Sequence, residues 1–226
     1  MNVLVVCTGN ICRSPVAEQV LTARLHAVGL DGVQVSSAGT GALVGSPMTP
    51  EAAALSVRYG ADPSGHLARQ LTASLVQDAD LVLTATRQHR ARVAELVPRA
   101  ARRAFTLREF SRVLAHLAEE GELDAVLDPD TLDPGAREPA RLDPARLDPD
   151  MLHAAVDERL RRVTEAAARS RGIAPPPPDP NDDDILDPYR APQAAYDEAG
   201  HVIDDAVDAI VSALAPTSVP GGRGGP

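Results

Sequence analysis

Residues 3–14, Val-Leu-Val-Val-Cys-Thr-Gly-Asn-Ile-Cys-Arg-Ser, decide how the rest of the chain is read. Val3 to Val6 form a β-branched, apolar run suited to a strand buried on both faces, and the run stops at Cys7. From Ser14 and Pro15 onward the pattern is helical, with Ser14 expected as N-cap, Pro15 at the first helical position, and Val16, Val20 and Leu21 on one face. Between strand and helix lie Gly9 and Asn10, the residue types that most readily take positive φ. A loop of this build turns successive backbone N–H groups inward beside a helix N-terminus and makes a nest for a tetrahedral dianion. Cys7 opens the nest and Arg13 closes it.

That placement sets the chemistry. A free thiol has a pKa of about 8.5, so only a few per cent is thiolate at neutral pH. Inward N–H groups, a helix dipole and a nearby guanidinium all stabilise the anion, and Cys7 is therefore expected to be a nucleophile. Arg13 offers a planar fork of donors that matches two phosphoryl oxygens and balances their charge during transfer. Cys-x5-Arg alone is a common pattern. The preceding buried strand, the internal Gly-Asn and the following Ser-Pro are separate requirements, and one stretch meets them all.

Residues 6–18, Val-Cys-Thr-Gly-Asn-Ile-Cys-Arg-Ser-Pro-Val-Ala-Glu, resemble the phosphate loop of the low-molecular-weight protein tyrosine phosphatase family. The resemblance extends over residues 1–110 and about 183–215. It implies an α/β three-layer sandwich, with a four-stranded parallel sheet flanked by helices and the phosphate loop between strand one and helix one. Ser37-Ala-Gly-Thr resembles a second family segment, whose serine is hydrogen-bonded to the asparagine and serine of the loop and to a histidine. Here that network is Asn10, Ser14, Ser37 and His66, with His66 opening a family-like His-Leu-Ala-Arg-Gln-Leu.

The totals are consistent with one domain carrying an insertion. At 226 residues the chain is long for one small α/β domain and short for two. Without Trp, and with five Phe and Tyr in all, the core falls to Ala, Val and Leu. All 22 basic residues are arginine, a compositional bias. A net charge of −10, concentrated after residue 117, argues against nucleic acid or an anionic membrane as partner. Val3–Val6 is too short for the core of a signal peptide, no apolar run approaches a membrane span, and a cytoplasmic location is expected. The two cysteines, Cys7 and Cys12, do not make a secreted framework. They could form a regulatory pair in which Cys12 caps an oxidised Cys7.

Further along, periodicity predicts a first helix over 15–26 with Gly29 as its stop, a strand at 33–37, and a helix over 49–59 ended by Gly60. A short helix is expected at 72–77, a buried strand at 80–86, a helix at 87–96, a fourth strand at 101–107 and a helix at 109–119. The arginines of 87–92 read as a solvated helix face. Residues 124–150 carry Leu-Asp-Pro four times, at 127, 132, 142 and 147, which neither a helix nor an interior strand tolerates, so a low-complexity loop is expected. Residues 151–171 read as an amphipathic helix with Leu152, Val156, Leu160 and Val163 on one side, followed by the stiff Pro175–Pro178 and the acidic run 179–184. One long helix or two shorter ones follow over 193–214. The phosphatase domain is therefore expected at 1–118 and 183–215, interrupted by an Asp/Pro-rich insertion over 119–182 that is partly disordered, with a disordered tail at 216–226.

Cysteine and arginine supply half of a phosphatase; expelling the leaving oxygen needs a general acid. The family places this acid in a late Asp-Pro-aromatic loop. Of seven Asp-Pro pairs only Asp187-Pro188-Tyr189 adds the aromatic, so the resemblance assigns the acid to Asp187. Tyr189 can form one flat wall of a phenyl phosphate slot, with Ile11 and Leu43 completing the pocket. The expected function is hydrolysis of phosphotyrosine in proteins through a phosphocysteine. Cys7, Arg13 and Asp187 are the catalytic residues, and the loop Thr8, Gly9, Asn10, Ile11, Cys12 and Arg13 holds the phosphate. Neither metal nor organic cofactor is implied. Three alternatives stay open. The related arginine phosphatases carry threonine where Ile11 stands, arsenate reductases of the fold need cysteines beyond Cys12, and a phosphoprotein-binding module has no use for the acid.

Overall fold

The computed structural model describes residues 1–127 and 149–215. Val3, Leu4, Val5 and Val6 are all almost fully buried because β1 (Asn2–Cys7) runs through the middle of the sheet with helices over both faces. The first helix, α1 (Arg13–Ala27), returns the chain to β2 (Gln34–Gly39), which pairs parallel with β1 so that Val5 lies opposite Ser37. α2 (Pro50–Arg58) and α3 (Ala73–Asp78) lead to β3 (Leu81–Thr84), which pairs with the other edge of β1. After α4 (Arg87–Leu96), β4 (Ala104–Thr106) completes a parallel sheet of order β2-β1-β3-β4.

Alternation along the strands divides the interior into two layers. Val3, Val5, Leu81, Leu83 and Phe105 face α1, α2, α5 (Leu107–Glu119) and the single long α8 (Gln193–Leu214). Leu4, Val6 and Val82 face α3 and α4 through Leu71, Val76, Val93 and Val97. The sheet and its two helical layers are thus the expected sandwich. No helix among the described residues is long and apolar enough to cross a membrane.

Several local expectations need correcting. α1 begins at Arg13 with Cys12 at the cap position, so Ser14 is the second helical residue and Pro15 the third. Proline costs nothing there, because first-turn N–H groups have no intrahelical acceptor. Of the loop pair only Asn10 takes positive φ, at 56°. Residues 98–103 wind as a 3₁₀ helix and Leu107 passes to the next helix, which shortens the fourth strand from 101–107 to 104–106. The capping box of Thr106 and Glu109 starts α5 two residues early, at Leu107.

The described part of the excursion between α5 and α8 is largely helical. α6 (Glu122–Leu127) occupies the start of the stretch expected as a loop, and α7 (Pro149–Ser170) covers the expected amphipathic helix. The Leu-Asp-Pro repeats over 128–148, the side chain of Leu152 and the tail over 216–226 lie outside the described residues. Leu160, Val163, Ala166 and Ala167 of α7 enter the same core as α5 and α8. Arg171 then clamps the end of this helix: its guanidinium lies 3.8 Å from the Phe105 ring centroid and donates to Ala104 O at 2.5 Å. Its Nε is 3.0 Å from buried Glu109, an ion contact and not an aligned hydrogen bond. A carboxylate at Val163, which is fully buried, would have no partner. Val163→Asp should therefore destabilise by about 3 kcal/mol or more, whereas the exposed Glu165→Gln should stay within about 0.5 kcal/mol; urea midpoints measure both.

Candidate active site

The loop between β1 and α1 gets its shape from the fate of its carbonyls. Thr40 N–H donates to Cys7 O at 2.9 Å, Gly41 N–H to Thr8 O at 3.0 Å, Leu43 N–H to Gly9 O at 3.0 Å and Thr49 N–H to Ile11 O at 3.0 Å. His66 Nε2 donates to Asn10 O at 2.7 Å. Every carbonyl from Cys7 to Ile11 is thus engaged from outside the loop. The N–H groups of Gly9 to Arg13 find no protein acceptor among the described residues. Each carbonyl shares its plane with the next residue's N–H, so the N–H groups of Gly9 to Cys12 are aimed the opposite way, at the space the loop encircles. The segment that accomplishes this approaches very closely: a Cβ on Gly39 would stand 2.3 Å from Thr8 O, so only glycine fits.

Cys7 Sγ lies 2.9 Å from Ser14 Oγ at the floor of the nest. Asn10 Nδ2 donates to Ser14 Oγ at 3.0 Å and to Ser37 Oγ at 2.7 Å, which leaves the Ser14 hydroxyl hydrogen free to point at sulfur. Asn10 is fully buried, and Arg69 N–H donates to its Oδ1 at 2.8 Å, which explains how a non-glycine residue is held at positive φ. Of the expected network, Asn10, Ser14 and Ser37 meet directly, but His66 does not touch Ser37. Ser37 Oγ instead donates to Glu18 Oε2 at 2.5 Å, and His66 Nδ1 lies 3.9 Å from the same oxygen, so Glu18 stands between them. Arg69 Nε also holds Ser37 O, at 2.7 Å. Sequence reading assigned neither Glu18 nor Arg69, although Glu18 lies within the matched motif.

Arg13 closes the nest from α1. Its Nη1 donates to Ile185 O at 2.9 Å, its Nη2 pairs with Asp187 Oδ2 at 2.8 Å, and its Nε is buried without a partner. Asp187 itself is half exposed, with Oδ1 accepting Tyr189 N–H at 3.3 Å in an Asx turn. What delivers this loop to the sheet is a set of charge-assisted contacts made by the acidic run. Asp184 takes the backbone N–H of Arg87 at 2.7 Å and its guanidinium at 2.9 Å, Asp183 pairs with Arg112 at 3.0 Å, and Ile185 N–H donates to Ala85 O at 2.8 Å. Arg87, expected on a solvated face, is thus an anchor of the loop that carries Asp187. Cys7, Ile11, Arg13, Leu43, Asp187 and Tyr189 line one cavity of about 130 Å³. A wider cleft of about 1340 Å³ beside α7 holds none of these six.

Titratable groups near the loop are shifted. Burial pushes the Cys12 thiol up, and its Sγ rests 3.6 Å from Thr49 Oγ1 and 3.9 Å from Tyr196 OH, so it stays protonated. Burial first, and then the charge of Arg13, lowers His89 to about 4. His89 is therefore neutral at physiological pH. An unfolded histidine at about 6.5 binds a proton that the folded one refuses, so stability is complete above that pH and is lost as pH falls towards 4. The difference amounts to roughly 3 kcal/mol. Chemical denaturation at pH 7 and pH 4.5 should show His89→Gln losing less stability over that interval than wild type.

Comparison with known proteins follows the same lines. A family model of low molecular weight phosphotyrosine protein phosphatase matches residues 2–133. Etp of Escherichia coli K12, a low molecular weight protein-tyrosine-phosphatase, is 42% identical over 97 residues, which are 43% of this chain and 62% of the relative. EpsP of Ralstonia solanacearum, a probable member, is 52% identical over 81 residues, 36% of this chain and 52% of that one. These matches thus span less than two thirds of the relatives. The crystal structure of the low molecular weight protein tyrosine phosphatase from T. tengcongensis superposes with a TM-score of 0.59 at 25% identity, covering 94% of this chain and 98% of that one. With more than half of its length matched by the family model and the sheet, loop and helix order in place, the chain belongs to the low molecular weight phosphotyrosine protein phosphatase family.

Proposed function

We propose that this chain hydrolyses phosphotyrosine in proteins through a phosphocysteine. The observation that carries the reading is one cavity holding Cys7 Sγ, the inward loop amides, a buried Arg13 with an unused Nε, and Asp187. In the first step the thiolate of Cys7 attacks phosphorus while the phosphorus–oxygen bond to the phenol breaks. Asp187 gives its proton to the departing oxygen. Arg13 and the amides of residues 8–13 hold the three equatorial oxygens. In the second step Asp187, now a carboxylate, takes a proton from water as that oxygen attacks phosphorus. The sulfur–phosphorus bond breaks, inorganic phosphate leaves, and the Ser14 hydroxyl donates to the returning thiolate.

The substrate class follows from the walls. Ile11, Leu43 and Tyr189 offer apolar surface to an aromatic ring, and Tyr189 is itself covered by Arg190 at 5.0 Å from its centroid. A phosphorylated guanidinium would carry its polar nitrogens against Ile11. We assign the phosphatase domain to residues 1–118 and 183–215, with 119–182 as an insertion whose described helices add to the domain core. A cytoplasmic setting suits two free cysteines, and Cys12 would cap Cys7 as a disulfide on oxidation.

Phosphate release is to be measured from a phosphotyrosine peptide and a phosphoarginine peptide side by side, without metal and under reducing conditions. Release from the tyrosine peptide alone, abolished in Cys7→Ser, is expected. Asp187→Asn should slow aryl phosphate hydrolysis by about two orders of magnitude. Tight binding of either peptide with no release would overturn the enzyme reading in favour of a binding module. Cysteine-dependent release from the arginine peptide alone would overturn the substrate class.

A further inference from the structure

We propose that His89 is a positioning residue for the anion site, acting through the hydroxyl of Thr8 on the guanidinium of Arg13. The ring of His89 spans two hydroxyls: Nδ1 lies 2.7 Å from Thr86 Oγ1 and Nε2 lies 2.9 Å from Thr8 Oγ1. Thr8 directly follows Cys7, and its Oγ1 stands 3.5 Å from Arg13 Nη2, a long contact. A buried side chain thus reaches from α4 to the rim of the nest. None of the roles given to the loop amides, the acid or the network of Ser37 requires it.

The protons can be assigned without conflict. Arg13 only donates, so Thr8 Oγ1 accepts from it and is free to donate its own hydrogen to His89 Nε2. The ring proton then sits on Nδ1 and goes to Thr86 Oγ1. An imidazolium would donate at both nitrogens and set a second positive charge beside Arg13 in a buried place, which burial and that charge together oppose. Thr86 is itself fixed, because its Oγ1 also caps α4 by accepting the backbone N–H of His89 at 3.3 Å. The strut therefore rests on the end of the sheet.

Its consequence lies in what happens to Arg13 when the site fills. In the present geometry the guanidinium is held by Ile185 O on Nη1 and by Asp187 and Thr8 on Nη2. An incoming phosphoryl group claims Nε and Nη2, and Asp187 turns to the leaving oxygen. Ile185 O on Nη1 and Thr8 Oγ1 on Nη2 then remain as the two holds on the guanidinium. Without the Thr8 hydroxyl the guanidinium is held at Nη1 only, and bidentate alignment on the transferring group is weakened.

The effect on turnover rests on the phosphatase reading; the effect on anion binding does not. The test compares wild type, Thr8→Val, Thr8→Ser, His89→Gln and the Thr8→Val/His89→Gln double variant. Two readouts are kcat and KM on para-nitrophenyl phosphate, and calorimetric affinity for inorganic phosphate. Thr8→Val removes only a hydroxyl from an exposed side chain, so the fold is not at risk. It should lower kcat by about tenfold or more and weaken phosphate binding several-fold, with Thr8→Ser restoring both. His89→Gln should lose the same amount, and the double variant should be no worse than the poorer single, because both act through one hydroxyl. Unchanged kcat and phosphate affinity in Thr8→Val would overturn the proposal. So would a loss in His89→Gln that multiplies undiminished with that of Thr8→Val, the mark of a merely structural histidine. Wild-type turnover that disappears in Cys7→Ser is the separate control on the phosphatase reading. If that turnover is absent, phosphate affinity alone decides between the outcomes.

Discussion

The site depends on where the carbonyls of residues 7–11 go. A peptide group cannot point its oxygen and its N–H the same way, so engaging each of these oxygens from outside commits the amides to the interior. Four of the five outside donors belong to the single segment from Thr40 to Thr49, and the fifth is His66. The anion nest is therefore a property of two chain segments zipped together. This explains why Gly39, at the start of that zipper, has no room for a side chain.

Around this frame polar groups are arranged in a chain of donors that ends on sulfur. Asn10 supplies both hydrogens of its amide to serines, and one of those serines is thereby left to donate to Cys7. Deleting any link leaves a buried group without its partner, which costs more than the bond itself contributes. The strained backbone of Asn10 is held by the same contacts that give it its function, so conformational strain and chemistry sit in one residue.

How much of this was legible in the sequence depended on distance along the chain. Strand, loop and helix within residues 2–27 are encoded locally, by β-branched burial and by Gly-Asn, and they were readable together with Cys7 and Arg13. Asp187 stood out among seven Asp-Pro pairs only because Tyr189 follows it. Ser14 was misread as a cap because the hydroxyl that makes serine a good cap is the same group that serves Cys7 here. Glu18 between Ser37 and His66, Arg87 on Asp184, and His89 on Thr8 join positions 19 to 97 residues apart. No local period or turn signal encodes such pairs. The docking of α7 was hidden for a different reason: an amphipathic stripe announces that a face will be buried, but not against what.

The ion pair of Arg13 with Asp187 gives the site an internal competitor for its own ligand. Because the carboxylate is half exposed, solvent screens the pair and leaves it worth on the order of 1 kcal/mol, a few-fold in affinity. An arriving phosphate ester, with many more contacts to make, displaces it easily. In the proposed mechanism inorganic phosphate has lost the aryl contacts, and there the same small term weighs more. Once Asp187 has passed to solvent the proton that the proposed second step gives it, re-formation of the pair favours product release, so in that mechanism the group that protonates the leaving oxygen also helps to clear the nest.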